Sequence, residues 1–490
     1  MNDETAIGVG GLAIHVPRAR VDLRAWCEWT GQTPDKVLAV VGRSFRVSTP
    51  RESVYTMAAS AALKLVEQYG IDPADIGHLA LGTESSTDNA IGAVIVKGML
   101  DRALVDLGRK PTARACEVPE VKHACLGGMY ALKGAARWAA LEGRGKKAIV
   151  IAADIAEYER GSTGEPTQGA GAVAMLVERD PGLFAIDLPH CGSAAAYRGV
   201  DFRKPFARHF TDGYAATTRR LHDFPVFNGK YSTTCYVDEV IAALDDMFAR
   251  TGWSRRTFWD EVAAAMLHRP YHHMPIQAMA AAIAVGMARE DEDREAFVGL
   301  CREAGVDPEL ALAEASATED LFDRAQRDGV DCEPTPELGR AIKTFRAGAW
   351  FKSFVAKKMG LGADGAMDLG NLYTASLPAW WVSAFAQAHR DGLDLAGRTL
   401  LAIGYGSGDA AEAWPLRVVP RWRDAAARIG FEAALADAVD LDQPSYEALH
   451  DGHETALDAE PRRGFVIERV GECLSGTGQD VGIEYYRFVR

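Results

Sequence analysis

Apolar runs alternate with amphipathic segments along the first 180 residues of the chain. Each apolar run ends in glycine or polar residues, as the buried strands of a covered sheet do. The segments between them place apolar residues every three or four positions, which is typical of helices that pack on a sheet. This alternation predicts an α/β fold. The clearest strands are predicted at 7–14, 78–83, 147–154 and 171–177, and the clearest helix at 53–69.

The second half of the chain carries the same signals more loosely. Residues 263–268 and 398–408 give its clearest strand patterns, and each ends in a polar or glycine-rich loop. A chain of 490 residues exceeds the usual size of one hydrophobic core, so two packed halves are expected. Residues 288–340 are polar, acidic and helix-prone, which predicts a solvated helical insertion or, alternatively, a surface for a partner.

Composition and charge narrow the class of protein. The net charge of −14 disfavours nucleic acid and anionic membranes as partners. The eight cysteines include no CxxC pair, which favours free thiols in a reducing compartment. No run of 18 apolar residues occurs, so no membrane span is expected, and the first residues do not form an apolar secretion segment. These observations together predict a cytoplasmic protein.

Cys125 lies just before a segment whose apolar spacing predicts a helix. Backbone N–H groups at a helix start stabilise a thiolate, so we expect a lowered thiol pKa and a nucleophile available at neutral pH. Gly127 and Gly128 follow and would let a substrate approach the backbone. Cys125 is therefore a candidate covalent nucleophile, the alternative being a small buried apolar residue.

Two acid–base candidates also follow predicted strands. Glu84 comes after the strand at 78–83, where a desolvated carboxylate could act as a general base, although it could also be a surface or helix cap. His268 ends the strand at 263–268, and its alternative is a buried histidine with satisfied hydrogen bonds. His272 and His273 lie close by, but the pattern lacks the spacing of a metal site.

The glycine-rich loop at 404–408 follows a strong strand pattern. It lacks the full spacing of a dinucleotide-binding or P-loop motif. We expect instead a tight turn that brings backbone N–H groups against a ligand carbonyl, as in an oxyanion hole.

Together these segments resemble the 3-hydroxy-3-methylglutaryl-CoA synthase family of the thiolase superfamily. The resemblance implies two similar α/β halves in a five-layer αβαβα arrangement, usually as a homodimer. Residues 1–180 would carry the nucleophile, and residues 181–490 would carry the histidine and the helical acidic insertion near 288–340. The matching motifs occur in the family's order across about residues 7–415: GTESSTD (82–88), ACLGG (124–128), DIAEY (154–158), PTQGAGAVAMLV (166–177), DFRKP (201–205), PVFNGKYSTTCY (225–236), HRPY (268–271), GNLYTASL (370–377) and GYGSG (404–408).

The resemblance also implies a reaction and its residues. An acetyl thioester would acylate Cys125, Glu84 would remove a proton from the acetyl methyl, and His268 would donate to the ketone oxygen of an acetoacetyl thioester. The product would be a 3-hydroxy-3-methylglutaryl thioester. The substrates would be CoA or phosphopantetheine thioesters, and no metal or redox cofactor would be needed. Substrate-binding positions implied by the family are Ser162, which replaces a common asparagine, and Thr167, Ser232, Asn371 and Ser407.

The chain departs from the family pattern around the nucleophile and the histidine. CoA-dependent members usually carry lysines where this chain has His273 and Gln277, and the loss of two cations would weaken a site for CoA phosphates. His123 and Leu126 replace the usual asparagine and tyrosine. These departures favour the branch that acts on acyl carrier proteins in polyketide β-branching. The alternative is a mevalonate-pathway synthase acting on free CoA thioesters.

Two other classes of thiolase-like protein are less compatible with the motifs. One binds acyl groups without condensing them, and the other is a ketoacyl synthase of the decarboxylating type. The joint presence of Glu84, Cys125 and His268 disfavours both, because neither chemistry needs a carboxylate base at this position.

Overall fold

The computed structural model describes residues 6–86, 92–204, 224–459, 462–474, 476 and 478–490. Thr87, Asp88 and Pro205 of the motifs above lie outside these residues. The strands are β1 (Ile7–His15), β2 (Ala19–Asp22), β3 (Ser44–Arg46), β4 (Ile76–Gly82), β5 (Glu120–Val121), β6 (Lys147–Ala156), β7 (Gly169–Arg179), β8 (Phe184–Ile186), β9 (Gly192–Ala195), β10 (Ala264–Leu267), β11 (Thr399–Gly406), β12 (Ala410–Val418), β13 (Val439–Asp440), β14 (Gly464–Val470) and β15 (Glu484–Val489). The helices are α1 (Leu23–Thr30), α2 (Pro34–Val40), α3 (Val54–Gln68), α4 (Gly92–Asp106), α5 (Gly127–Leu141), α6 (Gly229–Thr251), α7 (Arg255–Glu261), α8 (Met274–Arg289), α9 (Arg294–Glu303), α10 (Pro308–Ala315), α11 (Leu321–Asp328), α12 (Pro336–Ala347), α13 (Ala349–Phe354), α14 (Ala363–Ala366), α15 (Ser376–Arg390), α16 (Trp422–Ala426), α17 (Phe431–Leu435) and α18 (Gln443–His450).

The large sheet has two parts with matching strand directions. Its order is β10-β11-β12-β8-β1-β7-β6-β4-β5, with β9 paired to β12. In one part β4 and β6 are parallel, and β6–β7 and β7–β1 are antiparallel. In the other, β10 and β11 are parallel, and β11–β12 and β12–β8 are antiparallel. The strand β4 therefore corresponds to β10, and β6 corresponds to β11, as expected for two similar halves.

Successive side chains along a strand point to opposite faces of the sheet, and each face packs on a different layer of helices. On β6, Val150 and Ala152 face a core that includes α5 and α15, whereas Ile149 and Ile151 face α3 and α4. In the second part of the sheet, Met266 faces the same central core, and its neighbours on β10 face α6 and α8. Helices α5 and α15 thus lie between the two parts of the sheet. This confirms the predicted five-layer αβαβα fold.

The acidic segment near 288–340 forms helices α9 to α12. Helices α9, α10 and α12 pack on α8, whereas Ala325 of α11 is buried with Tyr231 and Cys235 of α6. Phe297 of α9 and Leu338 of α12 are buried with Val285 of α8. The helical character predicted for this segment agrees with the structure, and its use as a partner surface stays a prediction.

The last part of the chain returns to the first half. Strand β13 pairs with β2, and the hairpin β14–β15 packs on α3, with Phe465 buried beside that helix. The division of the chain at residues 180 and 181 stays a prediction. None of the helices in the described ranges is both long enough and apolar enough to span a bilayer.

Candidate active site

The side chains singled out in the sequence converge at one edge of the sheet. Glu84 follows β4, and His268 and Ser407 follow the parallel pair β10 and β11. Cys125 lies two residues before α5. Because the carboxyl ends of parallel strands meet at the same edge, these segments surround a single crevice. Cys125, His268 and Ser407 line one cavity of about 240 Å³, and Glu84 contacts the sulfur of Cys125.

Close backbone packing sets the position of the nucleophile. A β-carbon on Gly82, at the end of β4, would lie 2.5 Å from the Cα of Gly128 in the first turn of α5. Ala124 has a φ of 39°, in the left-handed region that residues with a β-carbon rarely adopt. This turn places the Sγ of Cys125 3.5 Å from Oε2 of Glu84. The predicted position of Cys125 at a helix start is confirmed.

The predicted lowering of the thiol pKa is wrong. Burial raises the pKa of Cys125 well above its usual value, and the nearby carboxyl groups of Glu84 and Asp154 raise it further. The sequence pattern shows the helix start, but it does not show that Cys125 is only 9 % exposed and that its sulfur faces a carboxylate. The resting residue is therefore a thiol, and its attack on a thioester requires that a neighbouring group accept the proton.

Asp154 fixes the segment that carries Glu84. Its Oδ1 accepts hydrogen bonds from the hydroxyl of Thr83 (2.9 Å) and from the backbone N–H groups of Glu84 (2.8 Å) and Ser85 (2.9 Å). Its Oδ2 accepts one from the N–H of Thr374 (2.9 Å). Burial raises the pKa of Glu84 to about 8, and the charge of Asp154 adds to the rise. Glu84 is thus a stronger base than an exposed carboxylate.

His268 is buried in the wall of the cavity. Burial lowers the pKa of its ring to about 3, so the imidazole is neutral at neutral pH. Its backbone N–H donates to the carbonyl of Ile403 (2.7 Å). Its backbone C=O accepts a hydrogen bond from the hydroxyl of Tyr236 (2.7 Å). The ring of Tyr405 stacks beside it, with 6.3 Å between ring centroids. A neutral imidazole held in this way can donate one hydrogen bond into the cavity.

The glycine-rich loop after β11 lies against the nucleophile. A β-carbon on Gly406 would lie 2.8 Å from the carbonyl oxygen of His123 and 2.9 Å from the N of Leu126. Only glycine therefore lets the two loops approach so closely. The approach brings Ser407 to the cavity beside Cys125. The oxyanion-hole role predicted for this loop stays a prediction.

The structure brings together all but one of the predicted substrate-binding residues. Thr167, Ser232, Asn371 and Ser407 line the cavity. Ser162 does not line it, although its neighbours Thr163 and Gly164 do; its hydroxyl is buried without a hydrogen-bond partner among the described residues. The side chain of Asn371 is oriented by hydrogen bonds to its Oδ1 from the N–H of Tyr373 (2.9 Å) and the hydroxyl of Ser376 (3.0 Å).

An aromatic enclosure that is not predicted from the sequence lies around the nucleophile. Tyr158, Phe202, Phe227 and Tyr373 surround the thiol of Cys125 with mutual centroid distances of 5.9–6.5 Å. Each ring belongs to a motif used above, but the motifs are far apart in the chain, so only their joint assignment to one site could have indicated the enclosure. These rings exclude water from the sulfur and account for much of the burial that shifts the pKa values.

The fold of two similar α/β halves, with a cysteine before a helix between a carboxylate and a histidine, defines a thiolase-like condensing enzyme. A family model described as hydroxymethylglutaryl-coenzyme A synthase N terminal matches residues 4–181. The hydroxymethylglutaryl-CoA synthase of Haloferax volcanii is 30 % identical over 473 residues, covering 94 % of this chain and 96 % of that protein. The chain belongs to the hydroxymethylglutaryl-CoA synthase family.

Solved structures agree with this assignment. A structure described as MvaS in complex with 3-hydroxy-3-methylglutaryl coenzyme A is 25 % identical, with a TM-score of 0.75 over 99 % of this chain and 100 % of that chain. The HMG synthase of the curacin biosynthetic pathway shares the fold at 19 % identity, with a TM-score of 0.69 over 99 % of this chain and 100 % of that chain.

Proposed function

We propose that this enzyme condenses an acetyl thioester with an acetoacetyl or related 3-ketoacyl thioester to give a 3-hydroxy-3-methylglutaryl-type thioester. The observation that carries the proposal is the 3.5 Å contact between the Cys125 sulfur and the Glu84 carboxyl group, beside a cavity that His268 also lines. A nucleophile, a base and a hydrogen-bond donor around one space are the groups that this condensation requires.

In the first step, the sulfur of Cys125 attacks the carbonyl carbon of the donor thioester. The bond from that carbon to the donor sulfur breaks, a neighbouring group accepts the proton of the Cys125 thiol and passes it to the departing thiolate, and an acetyl-cysteine remains. The N–H groups of Cys125 and Ser407 hold the thioester oxygen, which makes the methyl protons more acidic.

In the second step, Glu84 takes a methyl proton, and the resulting carbon attacks the ketone carbon of the acceptor. The ketone oxygen becomes an alkoxide, to which the neutral His268 donates a hydrogen bond, and the proton that Glu84 removed passes to this oxygen, which restores the Glu84 carboxylate. Asn371, at the cavity wall, helps to orient the acceptor. Water then cleaves the bond to Cys125, which regenerates the thiol and releases the product carboxylate.

The roles of Cys125 and Glu84 are tested by following acetylation and condensation separately. With an acetyl donor, intact-mass measurement should show an acetyl adduct on the wild type and on Cys116→Ala, but not on Cys125→Ala. Cys116 is a matched control because it is also 9 % exposed but does not line the cavity. Glu84→Ala should still acetylate and should not condense; normal condensation by this variant would remove Glu84 from its role.

We infer further that carrier-bound thioesters are the preferred substrates. His273 and Gln277 lie at the start of α8, next to Met274 of the cavity wall. Burial lowers the pKa of His273, and the charge of Arg346 lowers it further, so this side chain is neutral at neutral pH. Neither position then supplies a fixed cation for CoA phosphates. A carrier protein needs none, since it presents one phosphopantetheine and binds through its own surface.

Free CoA thioesters are the second candidate, and two observations favour them. Arg346 of α12 lies near enough to His273 to affect its pKa, so a cation is present beside the start of α8. The relative from Haloferax volcanii, similar over nearly its whole length, is named as an enzyme of CoA thioesters.

Turnover with free and carrier-bound substrates separates these candidates. On the carrier hypothesis, the wild type turns over carrier-bound pairs faster than free CoA pairs, and the double variant His273→Lys/Gln277→Lys lowers the KM for free CoA thioesters. Fast wild-type turnover of the free CoA pair alone would exclude the carrier hypothesis. Arg346→Gln is the control for the second candidate. If Arg346 binds a CoA phosphate, this variant should raise the KM for free CoA thioesters and leave the KM for carrier-bound thioesters unchanged.

Three further properties are part of the proposal. The chemistry uses covalent and acid–base steps alone, so we expect treatment with a metal chelator to leave turnover unchanged. We expect a homodimer, which sedimentation velocity would measure. Cytoplasmic localisation stays a prediction from the sequence.

A further inference from the structure

Helix α18, near the end of the chain, packs against a loop of the cavity wall. It begins at Gln443, after the cap residue Asp442, and ends at His450. Although its sequence is polar, Tyr446 and His450 are buried, at 2 % and 5 % exposure. The ring of Tyr446 stacks on Trp29, with centroids 6.2 Å apart. The loop in question comprises residues 157–168, called the pocket loop below.

One set of hydrogen bonds runs from Tyr446 into the pocket loop. The hydroxyl of Tyr446 donates to Oε1 of Glu165 (2.8 Å) and accepts from Nε2 of Gln168 (2.8 Å). Oε1 of Gln168 in turn accepts from the backbone N–H of Tyr158 (2.9 Å). All four residues are buried, so water does not compete for these bonds.

Three more contacts fix the pocket loop, two of them to α18 and its end and one within the loop. The ring Nε2–H of His450 donates to the backbone carbonyl of Tyr158 (2.8 Å). The C=O of Tyr158 is therefore held directly by α18, and its N–H is held indirectly, through Gln168 and Tyr446. Oε2 of Glu165 accepts from the N–H of Gly161 (2.7 Å). Arg160 pairs with Asp451 at the surface (3.1 Å). The pocket loop is therefore fixed at several points by a helix that does not itself line the cavity.

The pocket loop carries Tyr158, Thr163, Gly164 and Thr167, all of which line the cavity. Cys125, Glu84 and His268 lie on other elements. We propose that Tyr446 is a positioning residue: through Gln168 it fixes Tyr158 and the pocket loop at the distance that the acyl thioester requires. The change in kinetics expected from this inference rests on the proposed function, whereas the expected change in hydrogen exchange of the pocket loop does not.

The structural consequence is tested by hydrogen exchange. Tyr446→Phe keeps the ring and its packing but removes the hydroxyl, which leaves Nε2 of Gln168 without its acceptor. We expect faster amide exchange across residues 157–168 than in the wild type. Tyr485→Phe is the matched control, since it also removes a hydroxyl that donates to a carboxylate (Asp480, 2.8 Å), but in the C-terminal hairpin. Unchanged exchange of the pocket loop in Tyr446→Phe would overturn the proposal.

The kinetic consequence is tested by measuring both KM and the melting temperature of Tyr446→Phe. Misplacement of groups that contact substrate can cost up to about a hundredfold, so we expect kcat/KM of Tyr446→Phe to fall by about tenfold or more, mainly through KM. In a Gln168→Leu background, the same substitution should have little further effect, because the connection is already broken. A purely structural tyrosine would lower the melting temperature without changing KM, and that result would overturn the proposal. If the wild type does not condense the substrates, the proposed function fails and hydrogen exchange alone decides the role of Tyr446.

Discussion

Replacement of Asp154 by asparagine tests whether this buried carboxylate both holds and tunes the base Glu84. Asp154 accepts three hydrogen bonds at Oδ1 and one at Oδ2. An asparagine can keep its oxygen toward the three donors, but its NH₂ group then faces the N–H of Thr374. At least one buried donor loses its acceptor in either orientation of the amide.

The magnitude follows from this count. An unsatisfied buried donor costs about 1–3 kcal/mol, and the three remaining bonds weaken because the acceptor is no longer charged. The neutral amide offsets part of this loss, since burial raises the pKa of Asp154 and thus opposes its charge. We expect the free energy of unfolding to fall by about 2 kcal/mol. Removal of the charge should also lower the pKa of Glu84 from about 8, by about one unit for each 1.4 kcal/mol of repulsion removed.

Two assays check the two effects. Urea unfolding at pH 7 gives the stability change, with Asp246→Asn as a control, because Asp246 accepts the N–H of Ser193 (2.9 Å) at an exposed site. The pH dependence of condensation gives the second effect: its midpoint should move to lower pH in Asp154→Asn. A midpoint that stays in place or rises would refute the electrostatic action of Asp154 on Glu84, whatever the change in stability.

Lys133→Met should lower the free energy of unfolding by about 3–5 kcal/mol in urea titrations, because it leaves the buried carboxylate of Glu412, 2.5 Å away, without its cation. The double variant Lys133→Met/Glu412→Gln should recover part of this loss. If the losses of the two single variants simply add in the double variant, this ion pair does not contribute as expected. Relative to Glu84→Gln, the wild type should lose stability as the pH rises from about 5 to 8, because the folded state keeps Glu84 protonated up to about pH 8 while the unfolded chain does not. Thermal unfolding of Glu84→Gln should lack this loss, and an identical pH dependence in both proteins would show that Glu84 ionises normally. Gly82→Ala should lower the free energy of unfolding by about 1–3 kcal/mol, since its β-carbon would meet Gly128 at 2.5 Å; unchanged stability would show that α5 can shift without cost.

The sequence predicts the fold well where buried strands are long. β6 and β11 are continuous apolar runs, since helices cover both faces of the sheet, and both lie where the pattern places them. Glu84 and His268 are identifiable for the same reason, because each is the first reactive residue after such a run. Side chains at strand ends are the part of a site that local pattern can indicate.

The pKa of Cys125 and the aromatic enclosure could not be predicted in this way. The local pattern shows a helix start, which lowers a thiol pKa, whereas the burial and the facing carboxylate that raise it come from other segments. Tyr158 and Phe227 are neighbours only because the two halves of the chain fold together. Helix α18 could not be identified as part of the core either, because the sequence of this short segment is polar although Tyr446 and His450 are buried.

The short strand β8 pairs with β1 on one side and with β12 on the other, so it joins the two parts of the sheet into one. Along the strands that the structure describes, the two parts of the sheet therefore have no hinge between them. Access of a substrate to the thiol then does not depend on the opening of two domains. The same continuity means that neither half can lose its structure alone without exposing the central core, so we expect denaturant to unfold both in a single transition.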